Sequence, residues 1–118
     1  MTSGNELLAL RDTLRDFVAE REWRGYHTPK NLAMALIVEA AELVEQFQWS
    51  TPEESCALTP EKAMAVQEEM ADVLVYLVEL ADVLNIDLIH AAHDKIAKNA
   101  LKYPVEKARG NATKYNKL

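Results

Sequence analysis

The chain has 118 residues, of which 49% are hydrophobic and 27% charged, and its formal net charge is −6. This composition is typical of one globular domain, and the acidic balance argues against nucleic-acid binding by bulk charge. No apolar run approaches the roughly 20 residues of a membrane span. The single cysteine, Cys56, excludes an internal disulfide framework and fits a reducing compartment. The first residues match neither a secretory signal nor a transit peptide, so we expect a cytoplasmic protein.

The hydrophobic pattern predicts helices throughout, without strand alternation or an internal repeat. The predicted helices cover residues 6–22, 29–49, 60–84 and 88–102. Thr28, Thr59 and Asp87 are suited to the N-caps of the last three, and proline follows both threonines at the first helical position. The sequence also allows a short helical turn after Pro52.

Four helices joined by short links are typical of an all-α, four-helix bundle-like subunit. The second and third predicted helices are apolar around most of their circumference, which a single subunit cannot fully bury. We therefore expect a homodimer, or a homotetramer built as a dimer of dimers, with part of these helices at the interface. The helical domain is expected to span residues 1–104. The polar tail, residues 105–118, is expected to be loosely ordered unless it docks on a neighbouring subunit.

Two acidic pairs interrupt the apolar runs of the second and third predicted helices. Glu39 and Glu42 are three residues apart, as are Glu69 and Asp72, so each pair shares one helix face. Burying four ionised carboxylates without compensation would cost far more than the net stability of a small domain. Because hard divalent cations prefer oxygen ligands, facing pairs predict a site for Mg²⁺, with Mn²⁺ as the second choice. The alternative is that each pair is ordinary charge on a helix surface.

Basic residues are concentrated at the other end of the chain. From Lys95 onward there are seven Lys and Arg residues and one acid, whereas the first 94 residues carry six bases and eighteen acids. Lys95, Lys98, Asn99 and Lys102 lie close to one helical stripe, which would suit phosphate oxygens beside a metal ion. The same stripe is also typical of the exposed side of an amphipathic helix.

Aromatic and histidine side chains near the ends of the first two helices suggest a pocket in which a nucleobase stacks. These residues are Trp23, His27 and Trp49, which would serve equally as core residues. Tyr76 follows Asp72 by one helical turn and would either contact a ligand or lie in the core. Glu45 is a further ligand, a base or a solvated residue at the helix end. His90 and His93 are interpreted as structural or surface residues, since no Cys or third His is in register.

In combination these motifs resemble the E-x-x-E … E-x-x-D signature of the all-α nucleoside triphosphate pyrophosphatases, the MazG-like superfamily. The resemblance is strongest to the dCTP pyrophosphatase-like branch and extends over most of the chain. The similar segments are residues 17–23, 27–32, 39–49, 68–77 and 95–104, with further similarity in the tail at 107–110 and 114–115.

The resemblance implies Mg²⁺-dependent hydrolysis of a (deoxy)nucleoside triphosphate to the monophosphate and pyrophosphate, in a dimer or tetramer. It implies that Glu39, Glu42, Glu69 and Asp72 are the catalytic metal ligands. It also implies that a nucleoside pocket is lined by Trp23, His27, Asn31, Trp49 and Tyr76, and that Lys95, Asn99, Lys102 and Tyr103 contact phosphates or sugar, partly across a subunit boundary.

Three other classes of protein were weighed against this one. A non-catalytic helical module that binds a metal–nucleotide complex, as a sensor or an interaction module, would use every one of the same ligands and is the main alternative. A di-iron carboxylate bundle is excluded because no Glu is followed by His three residues later. A purely structural bundle would leave the acidic pairs unexplained.

Overall fold

The computed structural model describes residues 3–118, with side-chain burial defined from Glu6 onward. Within these residues the regular secondary structure is helical throughout, which confirms the predicted all-α class. The α-helices are α1 (Ser3–Glu20), α2 (Pro29–Glu45), α3 (Pro52–Ser55), α4 (Pro60–Val83), α5 (Leu88–Lys102) and α6 (Val105–Ala108), and 3-10 turns cover Arg24–Tyr26 and Tyr115–Lys117. In the part of the chain that the structure describes, no helix combines the length and apolarity that crossing a membrane requires.

Helices α2, α4 and α5 begin where the sequence predicts, because each of these starts carries its own cap. The Thr28 and Thr59 hydroxyl oxygens accept hydrogen bonds from the backbone N–H three residues on, and the Asp87 carboxylate does the same. Thr51 and Glu54 form a reciprocal capping box that begins α3, the short turn that the sequence allowed. These local hydrogen bonds confirm the predicted N-caps.

Two helices end at residues with left-handed backbone. Glu22 has φ 55°, and the N–H of Trp23 donates to the carbonyl oxygen of Val18 at 3.0 Å. Asn85, with φ 56°, ends α4 with the same hydrogen-bond pattern. Helix α1 therefore ends at residue 20 rather than at the predicted residue 22. Helix α2 ends at Glu45 rather than at residue 49, and turns follow it.

The first compact unit of the chain ends at Ile86 and is built around α4, which packs against α2 and α1. Its buried apolar side chains are Val18, Leu32, Val66, Val78 and Ala81. The guanidinium of Arg15 on α1 donates two hydrogen bonds, of 2.6 and 2.8 Å, to the carboxylate of Asp82 on α4. A bidentate ion pair therefore joins α1 to α4 beside the apolar core.

The second compact unit covers Asp87–Leu118. The ring of Tyr115 packs edge-on against that of Tyr103, with 6.3 Å between centroids, and Nζ of Lys102 lies 5.0 Å from the Tyr115 ring centroid. The tail, which we expected to be loosely ordered, thus contains α6 and a final turn that contacts the end of α5. The domain limit at residue 104 and docking of the tail on a neighbouring subunit stay predictions.

Large apolar side chains of α2 and α4 remain exposed in the single chain. Ile37 on α2 is 66% exposed and Met64 on α4 is 65% exposed. Further exposed examples on the same two helices are Met34, Val38, Val44, Met70, Leu74 and Leu77. This exposure is the physical reason to expect more than one subunit, and the oligomeric state itself stays a prediction.

Candidate metal centre

Carboxylates from two helices converge where α2 packs against α4. Glu39 of α2 and Glu69 and Asp72 of α4 each offer one oxygen, and these oxygens all lie within 4.8 Å of one another. Glu69 and Asp72 share a face of α4 because they are three residues apart. The structure therefore brings together members of both acidic pairs that the sequence singled out.

Glu42, the fourth predicted ligand, affects the pKa values of Glu39 and Glu69. The pKa of Glu39 is raised to about 7, first by burial and then by hydrogen bonding to Glu42, with further repulsion from Asp72 and Glu69. Burial, followed by hydrogen bonding to Glu42, also raises the pKa of Glu69. Two carboxyl groups can hydrogen-bond to each other only when one of them carries a proton. Both shifts disfavour the ionised carboxylates, and a positive charge bound at the cluster would offset them.

Two buried carboxylate oxygens in the cluster lack a hydrogen-bond donor in the described residues. Oε2 of Glu39 and Oε2 of Glu69 are buried and have no hydrogen-bond partner among the residues that the structure describes. Buried polar atoms are rarely left unpaired, because the lost hydration is expensive. One divalent cation would satisfy both oxygens and offset the repulsion between their carboxylates. Since Asp72 is exposed, such an ion would remain open to solvent and to further ligands.

Tyr76 and His27, two of the predicted pocket residues, lie near a third acid. The pKa of Tyr76 is raised by burial and then by the negative charges of Glu39, Glu79 and Asp72. On α4, Tyr76 lies four residues after Asp72 and three residues before Glu79. Nδ1 of His27 lies 3.8 Å from Oε2 of Glu79. Both side chains are half-buried in the first compact unit.

The other three predicted pocket residues of this unit have different surroundings. Trp23 packs edge-on against Phe17, with 5.9 Å between ring centroids, and is 43% exposed. The side-chain amide of Asn31 donates to the carbonyl oxygen of Tyr26 at 2.9 Å, which ties the start of α2 to the preceding 3-10 turn. Trp49 lies beyond the end of α2 and is 89% exposed. Stacking of a base between these tryptophans stays a prediction.

The predicted phosphate-contacting residues belong to the second compact unit. Lys95 and Lys102 are exposed on α5, whereas Asn99 between them is half-buried. Tyr103 follows α5 and packs on Tyr115 of the tail. Their role toward a phosphate stays a prediction.

Three further residues considered in the sequence lie on the surface. Glu45 is exposed at the end of α2, and His90 and His93 are exposed on α5. Among the side chains of residues 6–118, no group of three metal-ligating residues contains any of them. The surface interpretation of the two histidines agrees with this exposure.

Glu79 belongs to none of the motifs predicted from the sequence. Glu79 is only 9% exposed, and its Oε2 is a third buried oxygen without a hydrogen-bond partner in the described residues. Burial raises its pKa, and the nearby His27 lowers it by a smaller amount. The signal in the sequence is its position seven residues after Asp72, which puts another acid on the same stripe of an otherwise apolar helix.

The fold is all-α, and three carboxylates are grouped closely enough that they could hold a metal ion. The model of the MazG-like family matches residues 34–118, which is most of the chain. The chain belongs to the MazG-like family.

Known relatives include nucleotide-hydrolysing enzymes. The chain is 45% identical over 105 residues to dCTP pyrophosphatase 1 of Bos taurus and 43% identical to that of Homo sapiens. These matches cover 87% of this chain but 62% of each relative, so the chain spans less than two thirds of their length. A crystal structure of a pyrophosphatase from Archaeoglobus fulgidus is similar with a TM-score of 0.78 and 45% identity, over 88% of this chain and 94% of that one.

Proposed function

We propose that this protein is a Mg²⁺-dependent nucleoside triphosphate pyrophosphohydrolase, which converts a (deoxy)nucleoside triphosphate to the monophosphate and pyrophosphate. The observation that carries the proposal is the pair of buried, unpaired oxygens of Glu39 and Glu69 beside the carboxylate of Asp72. Family membership and similarity to dCTP pyrophosphatase 1 support the same reaction. dCTP is therefore the first substrate to test, followed by modified deoxynucleotides.

In this proposal, Glu39, Glu42, Glu69 and Asp72 hold the ion. When bound, Mg²⁺ would neutralise phosphate charge and make ionisation of a nearby water easier; Mn²⁺ would serve similarly. The water oxygen forms a bond to the α-phosphorus while the bond from that phosphorus to the α–β bridging oxygen breaks, so pyrophosphate leaves. A carboxylate oxygen that the ion does not occupy takes the proton of the water. Glu39 suits this role better than the exposed Glu45, because it belongs to the cluster.

The remaining predicted residues would bind the rest of the substrate. A nucleoside beside the ion would contact Tyr76 and His27, whose side chains are already half-buried. The wider proposed binding set is Trp23, Asn31 and Trp49 for the nucleoside and Lys95, Asn99, Lys102 and Tyr103 for phosphates or sugar. Lysine ammonium groups would add to the neutralisation of the phosphate charge.

We also propose a homodimer or homotetramer, supported by the exposed apolar side chains of α2 and α4. Light scattering coupled to size-exclusion chromatography would give the mass directly. Ile37→Glu introduces a charge at a 66% exposed apolar site and is expected to lower the mass of the assembly. Thr13→Glu, on the exposed surface of α1, is the control. A monomeric mass for the unmodified protein at micromolar concentration would contradict the proposal.

The reaction is tested by pyrophosphate release from the standard and several modified nucleoside and deoxynucleoside triphosphates, with and without Mg²⁺. Release that requires the ion supports the enzyme. The alternative, a non-catalytic sensor of metal–nucleotide complexes, shares all the proposed ligands, so it predicts nucleotide binding without pyrophosphate. Absence of pyrophosphate from the whole panel at saturating Mg²⁺ would reject the enzyme.

A further inference from the structure

A second polar feature lies in a cavity between α1, the 3-10 turn before α2, and α4. The cavity has a volume of about 470 Å³, which is in the range of small-molecule sites. Apolar side chains such as Leu14, Val18 and Val78 form part of its wall, and His27 and Glu79 provide polar groups. The lining also includes Arg11, Arg15, Arg24 and Asp82, so apolar side chains and polar groups both face the cavity. A lining of this kind suits a flat, partly polar ring.

Glu79 is the acceptor in this cavity that lacks a donor. Glu79 is only 9% exposed, and its Oε2 has no hydrogen-bond partner in the described part of the chain. Nδ1 of His27 lies 3.8 Å from that oxygen, which is too long for a hydrogen bond. A buried acceptor left without a partner loses hydration without compensation. A ligand that donates a hydrogen bond here would remove that cost.

The other acid of the cavity is already paired. Both oxygens of Asp82 accept hydrogen bonds from Arg15, at 2.6 and 2.8 Å, and this pairing lowers the pKa of Asp82. The carboxylate of Asp82 is therefore satisfied within the fold. Of the two acids that line the cavity, Glu79 is the one with an oxygen available to a ligand.

The cavity and the acidic cluster share one stripe of α4. Asp72, Tyr76 and Glu79 are spaced i, i+4 and i+7, so their side chains lie on one face. Seven residues of α-helix advance about 10 Å. Tyr76 lies between Asp72 and Glu79 on this stripe, about one helical turn from each. A nucleotide with its phosphates at the cluster would extend its base along this stripe toward Glu79.

We propose that Glu79 determines base specificity by accepting a hydrogen bond from the exocyclic amino group of the substrate's base. This inference rests on the proposed function. Cytosine and adenine present an amino donor at the position where uracil and hypoxanthine present a carbonyl oxygen. When Glu79 is ionised, that oxygen would face the Glu79 oxygen with no proton between them, so a base of the second kind leaves a buried acceptor unpaired.

The test compares substrates that differ at this position: dCTP with dUTP, and dATP with dITP. The unmodified protein is expected to favour the amino-bearing member, measured as the ratio of kcat/KM values. Glu79→Gln keeps the size of the side chain, and its amide can donate as well as accept. The variant is therefore expected to lower that ratio by at least about tenfold, mainly by improving hydrolysis of dUTP or dITP. Glu61→Gln, the same change at an exposed site on α4, should leave the ratio unchanged.

Because each ratio is measured on one protein sample, partial unfolding of a variant does not affect it. A ratio in Glu79→Gln within twofold of the unmodified value for both pairs would overturn the inference. Calorimetric binding of dCMP and dUMP separates this failure from failure of the proposed reaction, since monophosphates need no hydrolysis. If the unmodified protein binds dCMP more tightly than dUMP and Glu79→Gln removes that preference, the role of Glu79 in base specificity is supported even without turnover. Equal binding of dCMP and dUMP by the unmodified protein would count against that role.

Discussion

Glu39 and Glu69 lie on different helices, yet their carboxyl groups approach each other and each buries an Oε2 atom without a hydrogen-bond partner in the described structure. Burial and hydrogen bonding to Glu42 raise the pKa of both residues, in the case of Glu39 to about 7. Each of these features disfavours the ionised carboxylates, and a bound divalent cation would relieve all of them. The cluster is therefore expected to be less stable alone than with an ion.

Removing one proposed ligand should abolish turnover without unfolding the protein. Asp72→Asn and Glu42→Ala are each expected to lower kcat/KM by more than about 100-fold, because even residues that only support metal ligands are commonly worth 10–100-fold. Pyrophosphate release measures the effect, and the helical circular-dichroism signal should persist. Asp16→Asn, on the exposed surface of α1, is the control. Near-normal turnover in either ligand variant would remove that residue from the ligand set.

Magnesium should raise the melting temperature. An ion that binds only the folded state, at a free concentration of 100 times its Kd, adds about 2.7 kcal/mol to the free energy of unfolding. For a chain of this size that corresponds to a shift on the order of 10 °C. The shift should disappear on chelation and shrink in Asp72→Asn, and potassium chloride at equal ionic strength controls for screening. A midpoint that chelation leaves unchanged would show that the cluster does not bind the ion tightly.

Without a divalent ion, stability should rise as the pH falls from about 8 to 5. The pKa of Glu39 is raised from 4.5 to about 7 in the folded protein, so the folded state binds more protons than the unfolded state across this window. The stability contributed by protonated Glu39 is therefore fully present below its unfolded pKa and is lost as the pH rises through 7. The pKa of Glu69 is raised in the same direction.

Urea unfolding at several pH values would measure this dependence. Glu39→Gln should flatten it, because the amide does not titrate. Saturating Mg²⁺ should also flatten it, because the ion replaces the protons. Asp82 contributes in the opposite sense at lower pH, since its pKa is lowered in the folded state by hydrogen bonding to Arg15. Stability that falls steadily from pH 8 to 5 in the absence of divalent ions would contradict the assignment to the acidic cluster.

The ion pair between Arg15 and Asp82 should make a measurable contribution to stability. Its bidentate geometry joins α1 to α4, but the Arg15 side chain is 46% exposed, so solvent and salt screen the interaction. A double-mutant cycle with Arg15→Ala and Asp82→Asn is expected to give a small stabilising coupling that decreases at high salt.

A matched cycle on Arg11 and Asp12 provides the comparison. Arg11 also donates two hydrogen bonds, of 2.9 and 3.1 Å, but both go to one oxygen of Asp12, its neighbour on the same helix. Their coupling in urea unfolding should be smaller, because the contact joins no separate elements of the fold. A coupling for Arg15 and Asp82 that is no larger would indicate that packing alone holds α1 against α4.

Leu32→Ala is expected to destabilise the first compact unit by about 2–5 kcal/mol, the range for truncating a well-packed leucine. Leu32 is 1% exposed, so its removal leaves a cavity that its neighbours can only partly fill. Urea unfolding of the two proteins gives the difference directly. Leu101→Ala is the control, because that side chain is 83% exposed in the single chain. A change below 1 kcal/mol for Leu32→Ala would contradict the packing described for α2.

Local patterns in the sequence were sufficient to predict the helical class, most helix starts and the two acidic pairs. Thr28, Thr59 and Asp87 cap their helices through hydrogen bonds that reach three residues, so the information lies within a few positions of the chain. The three- and four-residue spacing of apolar and acidic residues fixed which side chains share a helix face. Left-handed residues such as Glu22 were missed, because a non-glycine residue there carries little local signal.

The tertiary structure determines which of these side chains are shielded from solvent and which residues they pair with. The sequence treated four acids as equivalent, but packing of α2 on α4 buries oxygens of Glu39 and Glu69 while Asp72 stays exposed. The tertiary structure also leaves Trp49 exposed and pairs Asp82 of α4 with Arg15 of α1. Glu79, in contrast, lies beside a cavity without a hydrogen-bond partner in the described residues. Burial and pairing depend on contacts between residues far apart in the chain, which no local spacing encodes.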